Sequence, residues 1–115
     1  MLTKHQIQDY NNNGFIVIEE LLSKNEIRKT RDIIDQFIEK SRGIKESDNI
    51  FDLEDNHSKN NPRLTRIKQP HLINNHFFNL IKNSQITKAL KDLLGNNILL
   101  KSSKLNTKFA KGGSA

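Results

Sequence analysis

Residues 98–109 constrain this chain more than any other stretch. Read in alternation, Ser102, Lys104, Asn106 and Lys108 form one row, and Ser103, Leu105, Thr107 and Phe109 form the other. Side chains at i and i+2 of a strand share a face, so the pattern predicts a long strand with one wholly polar side and one partly apolar side. Such a strand belongs at a sheet edge with its polar side in water, or on the wall of a polar pocket. Both solutions require a sheet, so the rest of the chain must supply further strands and a layer to cover the apolar side.

The remaining signals are mostly helical. Thr3 with Gln6, and Ser23 with Glu26, have capping-box spacing, in which hydroxyl and carboxylate or amide satisfy each other's exposed backbone donors. The first box predicts a short helix to about residue 10, followed by a turn at residues 11–14 and a β-branched strand at residues 15–18. The second predicts a helix over residues 24–40, with Ile27, Ile34, Phe37 and Ile38 on one apolar face. Residues 41–61 turn polar and read as a loop anchored by Ile50, Phe51 and Leu53. A short strand over residues 63–68 precedes Pro70, and a helical segment follows at residues 75–81. Ser84 is the expected cap of a last helix bearing Ile86, Leu90, Leu93 and Leu94 and closed by Gly95. No repeat or second domain is visible, and the mixture is α+β.

The apolar supply for this plan is thin. Hydrophobic residues make up 34% of 115 residues, and adding the five glycines leaves the total below the roughly 45–50% of globular domains. Helical and strand patterning excludes disorder of the whole chain, so the expectation is a core that lacks part of its partner. The formal charge of +6 is spread along the chain without a basic block, which disfavours a nucleic-acid surface. There is no cysteine, hence no disulfide and no thiolate metal site. The absence of a signal-type apolar segment or of a run of about 20 apolar residues predicts a soluble, cytoplasmic protein with no membrane contact.

Taken in order, LTKHQIQDYNNNGFIVIEELLSKNEI, FDLEDNHS, NPRLTRIKQPH and LLGNNILLKSSKLNTKFAKGGSA resemble the phytanoyl-CoA dioxygenase family of Fe(II)- and 2-oxoglutarate-dependent oxygenases. The resemblance runs from Thr3 to the last residue, and the final segment is its most specific part. It implies the N-terminal portion of a double-stranded β-helix, a cupin-like jelly roll. Residues 1–95 would be helical wrapping with short strands, and residues 98–109 the first core strand. The implied activity is hydroxylation of a small organic substrate, with Fe(II) and 2-oxoglutarate as cofactors.

Non-haem iron of this kind takes two His and one carboxylate, two of them as His-x-Asp on a strand. No histidine here fits, because His5, His57, His71 and His76 are followed two residues later by Ile7, Lys59, Ile73 and Phe78. The expectation is a chain that stops before the iron ligands and is inactive by itself. Asp55 and His57 read as a polar turn with a solvated imidazole, and His71 and His76 as surface or capping residues. By the resemblance, Asn106 contributes to 2-oxoglutarate binding, and Ser102 and Lys104 line the cavity. Arg66 or Lys68 supplies a basic group for the co-substrate, and which of the two does so stays open. The competing expectation is a small basic helical binding module, possibly for nucleic acid, which steep salt dependence would reveal.

Overall fold

The structure, a computed structural model, describes residues 1–112. Both capping boxes form. Thr3 Oγ1 accepts from the Gln6 amide at 3.1 Å and opens helix α1, Lys4–Asn13. Ser23 Oγ accepts from the Glu26 amide at 3.1 Å and opens α2, Lys24–Ser41. Helix α1 runs through the asparagines expected to form a turn and stops only at Gly14, whose φ of 83° lets its amide reach back to the Tyr10 carbonyl at 2.8 Å.

Three short strands, β1 (Phe51–Leu53), β2 (Leu64–Lys68) and β3 (Lys104–Asn106), make an open antiparallel sheet in the order β1-β2-β3. Two small helices, α3 (Pro70–Ile73) and α4 (Asn75–Ile81), follow β2, and α5 (Ser84–Leu94) precedes β3. Asn83, not Ser84, caps α5: its Oδ1 accepts from the Gln85 amide at 2.8 Å while its Nδ2 donates to Glu26 Oε1 at 2.7 Å. That second bond ties α5 to the start of α2, an advantage Ser84 lacks one position on.

The register sets the sheet's two faces. Phe51, Ile67 and Leu105 stand opposite one another across the three strands, as do Asp52, Arg66 and Asn106. The first row turns inward and joins Leu64 with Ile33 and Phe37 of α2 and Phe77 of α4 in one core. Phe37 is the hub: it meets Phe51 edge-on at 6.3 Å between ring centroids and stacks on Phe77 at 6.1 Å. This core is small. The radius of gyration is 16.8 Å, against about 13 Å for a close-packed domain of this length, and the molecule is elongated.

Two strand expectations are corrected. Residues 15–18 join no ladder; Phe15 and Val17 are 66% and 76% exposed, because among the described residues no strand lies beside them. The long strand over residues 98–109 is reduced to the three residues of β3, which pair with Arg66, Ile67 and Lys68 of β2. Pairing continues one step on each side, through Gln69 N–H to Ser103 O and Thr107 N–H to Thr65 O, and Leu99 further upstream is 98% exposed. The fold is therefore mixed helix and strand around an open three-stranded sheet; the jelly roll itself is not formed by the described residues. Among them no helix is long and apolar enough to cross a membrane.

Candidate functional site

The sheet face opposite the core is polar and cationic. Asp52, Arg66 and Asn106 share one cross-strand row, and Lys68 faces Lys104 in the next. Directly opposed residues lie about 5 Å apart at Cβ, so these five side chains from three strands crowd one small surface. Arg66 Nε donates to Asn106 Oδ1 at 3.2 Å, and Arg66 Nη1 reaches Asp52 Oδ2 at 3.5 Å. Lys68 Nζ sits 2.9 Å from Asp52 Oδ1 and donates to the Asp48 carbonyl at 2.6 Å. The Asp48 carboxylate meanwhile accepts from the Phe51 and Ile50 amides, and these bonds, with the nearby Lys68 charge, hold its pKa below the ordinary value against the opposing effect of desolvation.

Of the residues expected at a co-substrate site, Arg66, Lys68, Lys104 and Asn106 are thus brought onto one face, with both candidate basic groups on the same side of β2. Ser102 lies two residues before β3, exposed and outside the ladder. The cavity expected around this row is not closed: Lys104 and Asn106 are exposed, because the sheet has a helical layer on its other face only. Asp52 was not expected as a member. Its signal was the alternation in Phe51-Asp52-Leu53, which is too short to announce a strand.

The histidines are committed elsewhere. His57 does not float in solvent. Its Nε2 lies 2.9 Å from the Ser41 carbonyl and 3.1 Å from that of Ile44, and its Nδ1 accepts from the Arg63 amide at 2.8 Å. This pins the loop before β2 to the end of α2 and fixes the Nε2–H tautomer. His71 Nδ1 bonds to Ser103 Oγ. His76 Nε2 lies 2.7 Å from Thr30 Oγ1, which itself donates to the Glu26 carbonyl, so the imidazole is the donor in that pair. No group of three His, Asp or Glu that could hold a metal occurs among the described residues. The donor set of the described residues does not fit an iron centre.

His76 makes the stability of this protein depend on pH. Burial, reinforced by the Lys29 charge and opposed by Glu26, lowers its pKa from 6.5. A depressed histidine takes its proton first in the unfolded chain, so its contribution is complete above about pH 6.5 and lost as pH falls toward the folded value. Asp48 and Glu26, both lowered from 3.8 and 4.5, act only at more acidic pH. Between about pH 7.5 and 5.5, wild type should lose more stability in urea titrations than His76→Gln, whose amide keeps the donor to Thr30 without titrating. Parallel losses in the two proteins would refute the assignment.

The chain is 27% identical over 107 residues to a probable alpha-ketoglutarate-dependent hypophosphite dioxygenase of Stutzerimonas stutzeri. The match covers 93% of this chain and 37% of that relative, so the chain is related to a 2-oxoglutarate-dependent dioxygenase and spans little more than a third of its length. No family model matches the chain, and no solved structure matches it.

Proposed function

We propose that this chain is the N-terminal part of an Fe(II)- and 2-oxoglutarate-dependent dioxygenase of the phytanoyl-CoA dioxygenase type, acting on a small organic substrate, and that its cationic sheet face is the wall against which 2-oxoglutarate is held. The observation that carries this reading is the Arg66–Asn106 contact at 3.2 Å beside the Lys68–Lys104 pair. It joins, across 40 residues of sequence, an amide that can donate to a carboxylate and three cations that can neutralise it. The relationship to a 2-oxoglutarate-dependent enzyme supports the same co-substrate. In this reading Arg66 provides the directional, fork-shaped contact, Asn106 orients it, and Lys68 and Lys104 supply charge without fixed geometry. The iron ligands belong to other parts of the enzyme.

Titration of the 115-residue chain with 2-oxoglutarate, followed by NMR, tests this. The Arg66 Nε–H and Asn106 side-chain amide signals should move together and saturate. Arg66→Ala should weaken binding about tenfold, the order expected for one charge-assisted hydrogen bond. Shifts confined to other surfaces, or an Arg66→Ala variant that binds as wild type does, would sink the assignment.

A further inference from the structure

We infer that Asp52 is the positioning and charge-setting residue of the cationic face, tuning it to accept a dianion and reject more highly charged species; this rests on the reading of that face as the co-substrate wall. Arg66, Lys68 and Lys104 share this face with the Asp52 carboxylate, and the Asp48 carboxylate lies near Lys68. Asp52 lowers the positive charge of the face by one unit, and each unit removed shifts its preference from a trianion toward a dianion.

Geometry gives the carboxylate a second role. Its two oxygens divide between the two cations of β2, Oδ1 to Lys68 at 2.9 Å and Oδ2 to Arg66 at 3.5 Å. The guanidinium is therefore flanked on both sides, by Asp52 at Nη1 and by Asn106 at Nε, and its plane is set by the two neighbours together. Lys68 is held between Asp52 and the Asp48 carbonyl. Lys104, opposite Lys68 in the register, has no ion pair among the described residues and stays available to a ligand. The side chains of Asp52, Lys68 and Arg66 are 29%, 34% and 39% exposed. Pairs this exposed add little to stability, so the consequence of Asp52 falls on orientation and charge at the face.

Asp52→Asn keeps the shape and removes the charge, and Asp52→Glu restores it. In the ligand-free 115-residue chain, solvent exchange of the Arg66 Nε–H should be several-fold faster in Asp52→Asn than in wild type and near wild type in Asp52→Glu. With 2-oxoglutarate as the dianion and tricarballylate as the trianion, the wild type should prefer the dianion. Asp52→Asn should move the ratio of the two affinities toward the trianion by about fivefold, the order of one partly exposed charge contact, and Asp52→Glu should bring the ratio back. Unchanged Arg66 exchange and an unchanged ratio in Asp52→Asn would overturn the role of Asp52 alone. A wild type that binds no 2-oxoglutarate would overturn the reading of the face and the dianion tuning with it, while the exchange measurement on the ligand-free chain decides the positioning separately.

Discussion

Ile67→Ala should remove more than half of this protein's stability. Ile67 is fully buried, 0% exposed, at the centre of β2, with Phe51 and Leu105 on either side and the α2 and α4 side chains above. Removing its outer carbons deletes both transfer energy and contacts that cannot refill, about 3–4 kcal/mol. A domain of this length has roughly 6 kcal/mol at the lower end of ordinary stabilities, and the sparse core places this chain there. The urea midpoint should fall by about 2 M. Leu99→Ala, at a position 98% exposed, should stay within about 0.5 kcal/mol of wild type. Because Ile67 stands between Arg66 and Lys68, the same variant should also broaden the NMR signals of the cationic face. An Ile67→Ala midpoint near that of Leu99→Ala would show that the sheet and helices do not share one core.

The local part of this fold was legible because its causes are local. A hydroxyl three residues before a carboxylate or amide fixes a helix start whatever lies beyond, and both boxes are found where the spacing put them. Gly95 likewise takes a positive φ of 95° after the last helix. Apart from the extent of α1, which runs on to Gly14, what failed were elements whose partners lie far along the chain. Residues 15–18 have every strand propensity and no strand beside them, since β-pairing depends on a neighbour and not on the segment alone. Helix α2 was read with Ile27 in its apolar face. Phe37 does enter the core and Ile34 and Ile38 pack against it, but the core adds Ile33 and leaves Ile27 40% exposed, because Phe51 and Phe77 arrive from another direction and decide which turn is covered.

The site divides the same way. Period-two alternation was enough to place Arg66 with Lys68, and Lys104 with Asn106, on common faces. That β2 and β3 are neighbours, in the register that brings Arg66 against Asn106, is a long-range fact absent from either segment. Asp52 escaped notice because β1 is only three residues long and shifts register between Asp52 and Leu53. His57 was misjudged for a related reason. A polar sequence around it looks like a solvated turn, and only the arrival of the Ser41 carbonyl at the end of α2 and the Ile44 carbonyl just beyond it gives the imidazole two acceptors to bind.

Arg63→Ala should cost about 3 kcal/mol and loosen β3 before the rest of the molecule. Arg63 Nε donates to Glu54 Oε2 at 3.0 Å, with both side chains 11% exposed, and its Nη2 donates to the Ala110 carbonyl at 2.8 Å. The guanidinium also lies 5.4 Å from the centre of the Phe109 ring. One side chain therefore joins the end of β1, the start of β2 and the segment after β3. Gly112 closes over this pair, and a Cβ there would stand 2.7 Å from both Glu54 carboxylate oxygens. Removing one member of a nearly buried pair gives up a charge-assisted bond whose desolvation the other member has already borne, which is why the loss should exceed that of any exposed ion pair here. Glu54→Leu combined with Arg63→Met should recover much of the stability, since apolar groups need no counterion. It cannot restore the bond to the Ala110 carbonyl. Amide exchange at Leu105 should therefore stay fast in the double variant while the urea midpoint returns toward wild type. Recovery of Leu105 protection together with the midpoint would mean that apolar packing, and not the Arg63 hydrogen bond, holds β3 and its Asn106 against the sheet.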